Sequence, residues 1–174
     1  MNIRERQRPF RERYTADPEA AKITLRVRGG HADLDDPLHC EVAMTAVSDL
    51  AYRTGAHPAV GGVGDVPCSG DLLLAALAAC QEITLRMVAA NMGIEIADLV
   101  VDVDADWDAR GTLAFPGVPV GLTAIRCATR VTVRGDARGE RAERLLRSAE
   151  KYCVVLNTLR TGVPVESRFE LASA

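Results

Sequence analysis

The sequence predicts an α+β domain built around one buried helix. Three observations carry that prediction. Residues 71–92 form a helical stretch whose first half, LLLAALAAC, is apolar on every face. Residues 99–107 and 122–134 alternate apolar and polar side chains with a period of two. The elements also follow one another as strands, helix, strands, helix, strand, an order that segregates sheets from helices instead of repeating βαβ units.

The elements follow in chain order. Residues 1–20 read as a polar arm, partly disordered or loosely helical, ended by Pro18; residues 21–174 read as a single domain. In the segment KITLRVR, Ile23, Leu25 and Val27 alternate with Thr24, Arg26 and Arg28, a half-buried strand closed by Gly29 and Gly30. An acidic turn with Pro37 leads to a second strand over residues 39–47. Residues 49–67 are rich in Gly and Pro and read as one long loop. Ser69 or Gly70 caps the central helix, Asp71 lies in its first turn, and Gly93 stops it. Two strands and a Gly/Pro connector over 110–120 follow. Residues 139–159 form an amphipathic helix whose stripe includes Leu145, Ala149, Cys153 and Leu156. Gly162 and Pro164 end it, and residues 165–171 make a final strand.

Composition bounds the function. The chain has 174 residues, 48% hydrophobic and 26% charged, with a formal net charge of −3, which suits one globular domain. No basic stripe and only 4% aromatic residues argue against a nucleic-acid partner. Residues 1–13 lack the apolar region of a secretory signal. The apolar run 72–80 ends at Gln81 and Glu82, short of a membrane span, so a cytoplasmic location without a membrane partner is expected. A helix with no polar face needs cover on all sides, which points to a homodimer.

Five cysteines, Cys40, Cys68, Cys80, Cys127 and Cys153, show no CxxC spacing. No metal and no cofactor is expected, since His31 and His39 offer no ligand geometry. Each thiol can be a small buried hydrophobe. An apolar helix by itself raises a thiol pKa, so Cys80 reacts only if a cation or oriented donors stand beside it. A thiol oxidised to a sulfenic acid needs a second thiol to resolve it, and Cys153, on the other buried helix, can supply one.

Three segments, CSGDLLLAALAAC (68–80), ITLRMVAANMGI (83–94) and EKYCVVLNTL (150–159), resemble the OsmC/Ohr family of osmotically inducible and organic hydroperoxide resistance proteins. The resemblance spans residues 23–171. It implies an OsmC-like fold, an intertwined homodimer with central helices between curved antiparallel sheets. It also implies a peroxidase in which Cys80 attacks a small organic peroxide and Cys153 resolves the sulfenic acid. An external dithiol then reduces the resulting disulfide.

The family's arginine and carboxylate map less directly. Asp71 is the acid candidate, although Glu is usual there, and its other reading is a helix-dipole carboxylate. Arg53, beside the Gly-rich loop, is the arginine candidate, with Arg28 and Arg26 as the others. Val154 follows Cys153 where better-known members have Pro, and Asn157 stands where Ser is usual. Cys68 stands where Pro or Ser is common; it is a third thiol or a packing residue, and His57 is a loop histidine or a site residue. With these departures the alternative is a non-catalytic relative that binds an apolar small molecule or senses redox state.

Overall fold

The computed structural model describes residues 2–30, 33–47, 50–135 and 139–172, so His31 lies outside the described residues. The arm expected to be loosely helical is a defined helix, α1 (Ile3–Ala16). Asn2 caps it by accepting the N–H groups of Arg4 and Glu5. Two contacts hold α1 to the central helix: Arg4 donates to the Asn91 carbonyl, and the Asn91 amide donates to Gln7 Oε1 at 3.3 Å.

Three short antiparallel strands form the first sheet, in the order β1 (Val27–Gly29), β2 (His39–Met44), β3 (Ala51–Gly55). The strand expected over residues 22–28 pairs only from Val27 on. Ile23 and Leu25 are 69% and 84% exposed, because nothing in the described chain lies against them. The stretch expected to be loop contains β3, whose Tyr52, Arg53 and Thr54 pair with Val42, Glu41 and Cys40. Pairing with β2 outweighed the surrounding turn residues. What remains of the loop folds over itself at Gly62, where a Cβ would lie 1.7 Å from the Ala56 carbonyl oxygen, so only glycine fits. His57 packs edge-on against Trp107 at 5.4 Å and ties this loop to the second sheet.

Helix α2 (Ser69–Met92) starts at Cys68 and ends at Gly93, whose φ of 64° is the left-handed cap expected of it. Leu77, Gln81, Leu85 and Ala89, spaced by four, form its one buried stripe. The expectation that α2 is buried all round is corrected for the single chain: Leu73, at the exposed start of that stripe, and Ile83 and Met87 on another face are 36–54% exposed. One chain of this size supplies one sheet and one helix pair to cover it. At 24 residues α2 also reaches membrane-spanning length by composition, which the apolar run 72–80 did not suggest. Its buried stripe packs against this chain's own core.

That core is completed by β4 (Ile96–Trp107) and β5 (Leu122–Val133), a long antiparallel pair joined through the short helix α3 (Ala109–Thr112). Leu99, Val131 and Val133 pack on Leu85, Ala89 and Ile94, while Leu145 and Ala149 close the cluster from α4 (Glu140–Tyr152). The outward face is charged, with Arg126 bridging Asp104 and Asp106 and Arg130 meeting Asp102.

Two C-terminal expectations are corrected. The single helix over 139–159 is two, α4 and α5 (Val154–Thr161), broken at Cys153, whose ψ of 105° is extended. The break is held by Asn157, whose amide donates to the carbonyls of Glu150, Lys151 and Cys153 at 3.2, 3.1 and 2.8 Å. The first two are carbonyls that the end of α4 leaves without helical partners, and the third also accepts the Asn157 N–H at 3.1 Å as the first bond of α5. The expected strand over 165–171 is not a strand. Val165, Phe169 and Leu171 are 86%, 94% and 103% exposed, since a strand needs an edge to pair with and this segment meets none.

Candidate active site

The break between α4 and α5 is what builds the site. It puts Cys153 at the first cap of α5 and aims the free N–H groups of that helix's opening turn at the flank of α2, where Cys80 sits. Cys80 is half-buried and Cys153 is wholly buried, and both are free thiols. The two thiols are near enough to act on each other's acidity.

The two thiols are driven in opposite directions. Burial pushes Cys80 up, but the polar groups around it, the Val155 N–H, the Cys153 thiol, the Thr84 hydroxyl and the Val154 N–H, favour the thiolate, and the net result is a pKa below the ordinary thiol value. The positive end of α5 adds to this in the same sense. Burial likewise raises Cys153; the Leu156 N–H opposes it, while the bond to Cys80 and the charges of Cys80 and Cys127 add to it, so its pKa rises. Cys80 therefore ionises first and Cys153 keeps its proton. A pair split this way has a nucleophile and a proton-bearing partner in one contact.

The other residues singled out in the sequence go elsewhere. Arg53 lies on β3 with its guanidinium 3.8 Å from Asp65, and the groups acting most strongly on Cys80 include no guanidinium. Arg28 is on β1, and Arg26 offers its carbonyl to Thr45. The Asp71 carboxylate accepts the Cys68 N–H at 2.8 Å, a helix-start contact. Cys68 is the cap of α2, twelve residues and so about 18 Å of helix from Cys80. His57 caps a short turn by accepting the Ala59 N–H at 3.0 Å. The structure thus brings together Cys80 and Cys153 and leaves Arg53 and Asp71 with other partners.

Thr84 and the Val155 amide were not singled out in the sequence; Val154 and Asn157 were, but only as departures from the family's usual Pro and Ser. Thr84 had a visible signal, a hydroxyl one helical turn after a cysteine. The roles of Asn157 and the two amides at the site were not legible, because they depend on a break in a helix whose apolar stripe continues across it, although a residue other than Pro at 154 is what leaves an N–H there.

Next along the chain from Cys80, at Gln81, α2 borders an open cavity of ≈ 580 Å³ that β5, α4 and α5 complete, with Leu77, Leu85, Ile125, Cys127 and Leu156 on its walls. The buried Gln81 Oε1, which also borders it, has no hydrogen-bond partner among the described residues. Arg160 stands at the rim, paired with Glu150 at 2.6 Å. Such a cavity admits an apolar molecule with one hydrogen-bonding group.

Comparison with known proteins is consistent with this geometry. The OsmC-like protein family model matches residues 62–168, more than half of the chain and all of the thiol site. No curated protein matches the chain. Among solved structures, an OsmC-like protein from Mycoplasma pneumoniae superposes with a TM-score of 0.63 at 17% identity, covering 81% of this chain and 90% of that one. An OsmC-like protein of unknown function from Vibrio cholerae gives 0.62 at 12%, covering 79% and 94%. An organic hydroperoxide resistance protein OsmC from Legionella pneumophila gives 0.53 at 20%, covering 79% and 90%. At these identities the likeness carries the fold.

Proposed function

We propose, from the premise that this chain belongs to the OsmC-like family, that it reduces organic hydroperoxides with Cys80 as the attacking thiolate and Cys153 as the resolving thiol. The carrying observation is the pairing of two thiols that act on each other's acidity in opposite senses, Cys80 being lowered by the opening turn of α5 and Cys153 raised. A role in hydroperoxide resistance also fits the hydroperoxide resistance proteins among the structural relatives.

In the first step the Cys80 thiolate attacks the peroxide's terminal oxygen and the O–O bond breaks. The alkoxide takes a proton and leaves as alcohol, and Cys80 becomes a sulfenic acid. In the second step Cys153 attacks that sulfur, its proton leaves with the hydroxyl as water, and a Cys80–Cys153 disulfide forms. An external dithiol returns both thiols and is itself oxidised to a disulfide. The amides of Val154 and Val155 stabilise the thiolate before attack. In this reading they do the work that the resemblance gives to Arg53, while Arg53 and Asp71 hold the loop and the helix start. The apolar cavity would orient an alkyl tail.

We further propose that the working form is a cytoplasmic homodimer. Leu73 and Ile83 of α2 and the alternating segment around Val165, Phe169 and Leu171 would then be covered by a second copy, each such side chain contributing about 1.5–3 kcal/mol on burial. Light scattering is expected to give twice the chain mass of 18.7 kDa; a single-chain mass would refute the dimer.

A second reading rests on the cavity and its unpaired Gln81 Oε1: a non-catalytic relative that binds an apolar small molecule. One experiment separates the two. Stoichiometric cumene hydroperoxide followed by peptide mapping is expected to give a Cys80–Cys153 disulfide, and in Cys153→Ser a trappable sulfenic acid at Cys80. If neither forms, the peroxidase reading is wrong.

A further inference from the structure

A second cleft lies further along the helix that carries Cys80. It is an open space of ≈ 920 Å³ between α1, α2 and α4, and α1 lies outside the residues that match the family model. Arg4, Arg8 and Arg11, at spacings of four and three, occupy one face of α1 and border it. Arg144, Ser148 and Tyr152, at spacings of four, border it from α4. Met87 and Val88 of α2 form an apolar floor.

Two of the arginines in this cleft differ from their neighbours on the same three helices. On α2, α4 and α5 every other arginine has an acceptor: Arg86 meets Glu82, Arg147 meets Glu143, Arg160 meets Glu150, and Arg141 donates to the Met92 carbonyl. Arg4 likewise bonds the Asn91 carbonyl. Arg8 has Glu12 at 3.9 Å, the far edge of an ion pair. Arg11 and Arg144 have no carboxylate within 4.0 Å among the described residues, yet both border the same cleft. Like charges on facing walls repel, and an anion between them turns the repulsion into attraction.

We propose that this cleft binds a small amphipathic phosphate ester. The phosphate sits between Arg8, Arg11 and Arg144, and the apolar part lies over Met87 and Val88. Several guanidinium forks arriving from two walls suit a dianion with three terminal oxygens better than a planar carboxylate. The apolar floor selects an ester over the free ion. The ligand is held one turn or more from Cys80 along α2, and Thr84 borders the cleft while bonding the Cys80 sulfur.

Calorimetric titration of the full chain tests this with three probes: octyl phosphate, inorganic phosphate and octanol. Octyl phosphate is expected to bind saturably, inorganic phosphate more weakly, and octanol not at all. Replacing Arg11 and Arg144 together by Ala, both exposed positions, should weaken octyl phosphate by about tenfold or more. Met87→Ser should weaken octyl phosphate and leave inorganic phosphate unchanged. Arg147→Ala, whose partner is Glu143, should change neither. Absence of saturable octyl phosphate binding, equal binding of octanol, or an unchanged affinity in the double variant would overturn the proposal. So would binding only to vesicles containing phosphatidic acid, which would assign the arginines to a membrane surface.

Discussion

Cys80 and Cys127 are both half-buried thiols, and their acidities move in opposite directions. Burial raises each of them. At Cys127 it prevails over a bond from Thr129 and the charge of Arg160, and the thiol stays protonated. At Cys80 it is outweighed by two backbone N–H groups and two side-chain donors. The difference is where each sulfur sits relative to backbone polarity. Cys127 stands off the face of a strand, whose amides lie in the plane of the sheet and cannot point at a sulfur above it. Cys80 faces the open end of α5, whose first amides point along the helix axis with nothing else to bond. Directed donors, more than burial, separate a reactive thiol from a packing one.

The sharpest way to break this comparison is to remove each sulfur. Cys80→Ser is expected to lower alkyl hydroperoxide turnover by about 10³-fold or more. Cys127→Ser should leave it within about twofold, as a core cysteine would. Comparable losses in both variants would mean that the distinction drawn from their surroundings is wrong.

A smaller effect tests the break that makes the difference. Asn157→Ala strips the amide from three carbonyls at the α4–α5 junction and is expected to cost about 1–3 kcal/mol in urea unfolding. It should also slow alkylation of Cys80 by iodoacetamide, because the amides of Val154 and Val155 lose their aim. Cys127 alkylation should not change. Loss of stability with no change at Cys80 would detach the junction from the chemistry.

The smallest expected effect lies in the loop ahead of α2, far from both sulfurs. His39 is held between two carboxylates, Nδ1 to Asp36 at 2.7 Å and Nε2 to Asp65 at 2.9 Å, with Arg53 beside them. The bonds to Asp65 and Asp36 raise its pKa above the ordinary histidine value. A raised folded pKa means that the tether is at full strength below the unfolded value near 6.5 and is lost as pH climbs through the folded one. Amide exchange across residues 56–67, corrected for intrinsic rates, should therefore quicken on the alkaline side in the wild type. In His39→Gln it should be fast and insensitive to pH; an identical pH response in the variant would show that another group ties the loop.

Period-two alternation located the faces of β4 and β5 down to Cys127, and Asp71 and Gly93 marked the ends of α2, because those signals are local. The same locality explains the misreadings. β3 was hidden among turn residues, since only its partner β2 makes it a strand. Residues 165–171 carry a strand pattern and no strand, for want of an edge in the same chain.

By itself the sequence determined the central helix, the helical character of the segment that carries Cys153 and the apolar ground around both, because helical and strand periods are written in neighbouring residues. Only the tertiary structure decided that Cys80 meets the amides of a broken helix instead of a guanidinium. The direction of a free N–H is a property of where a helix begins in space, and no spacing along the chain records it.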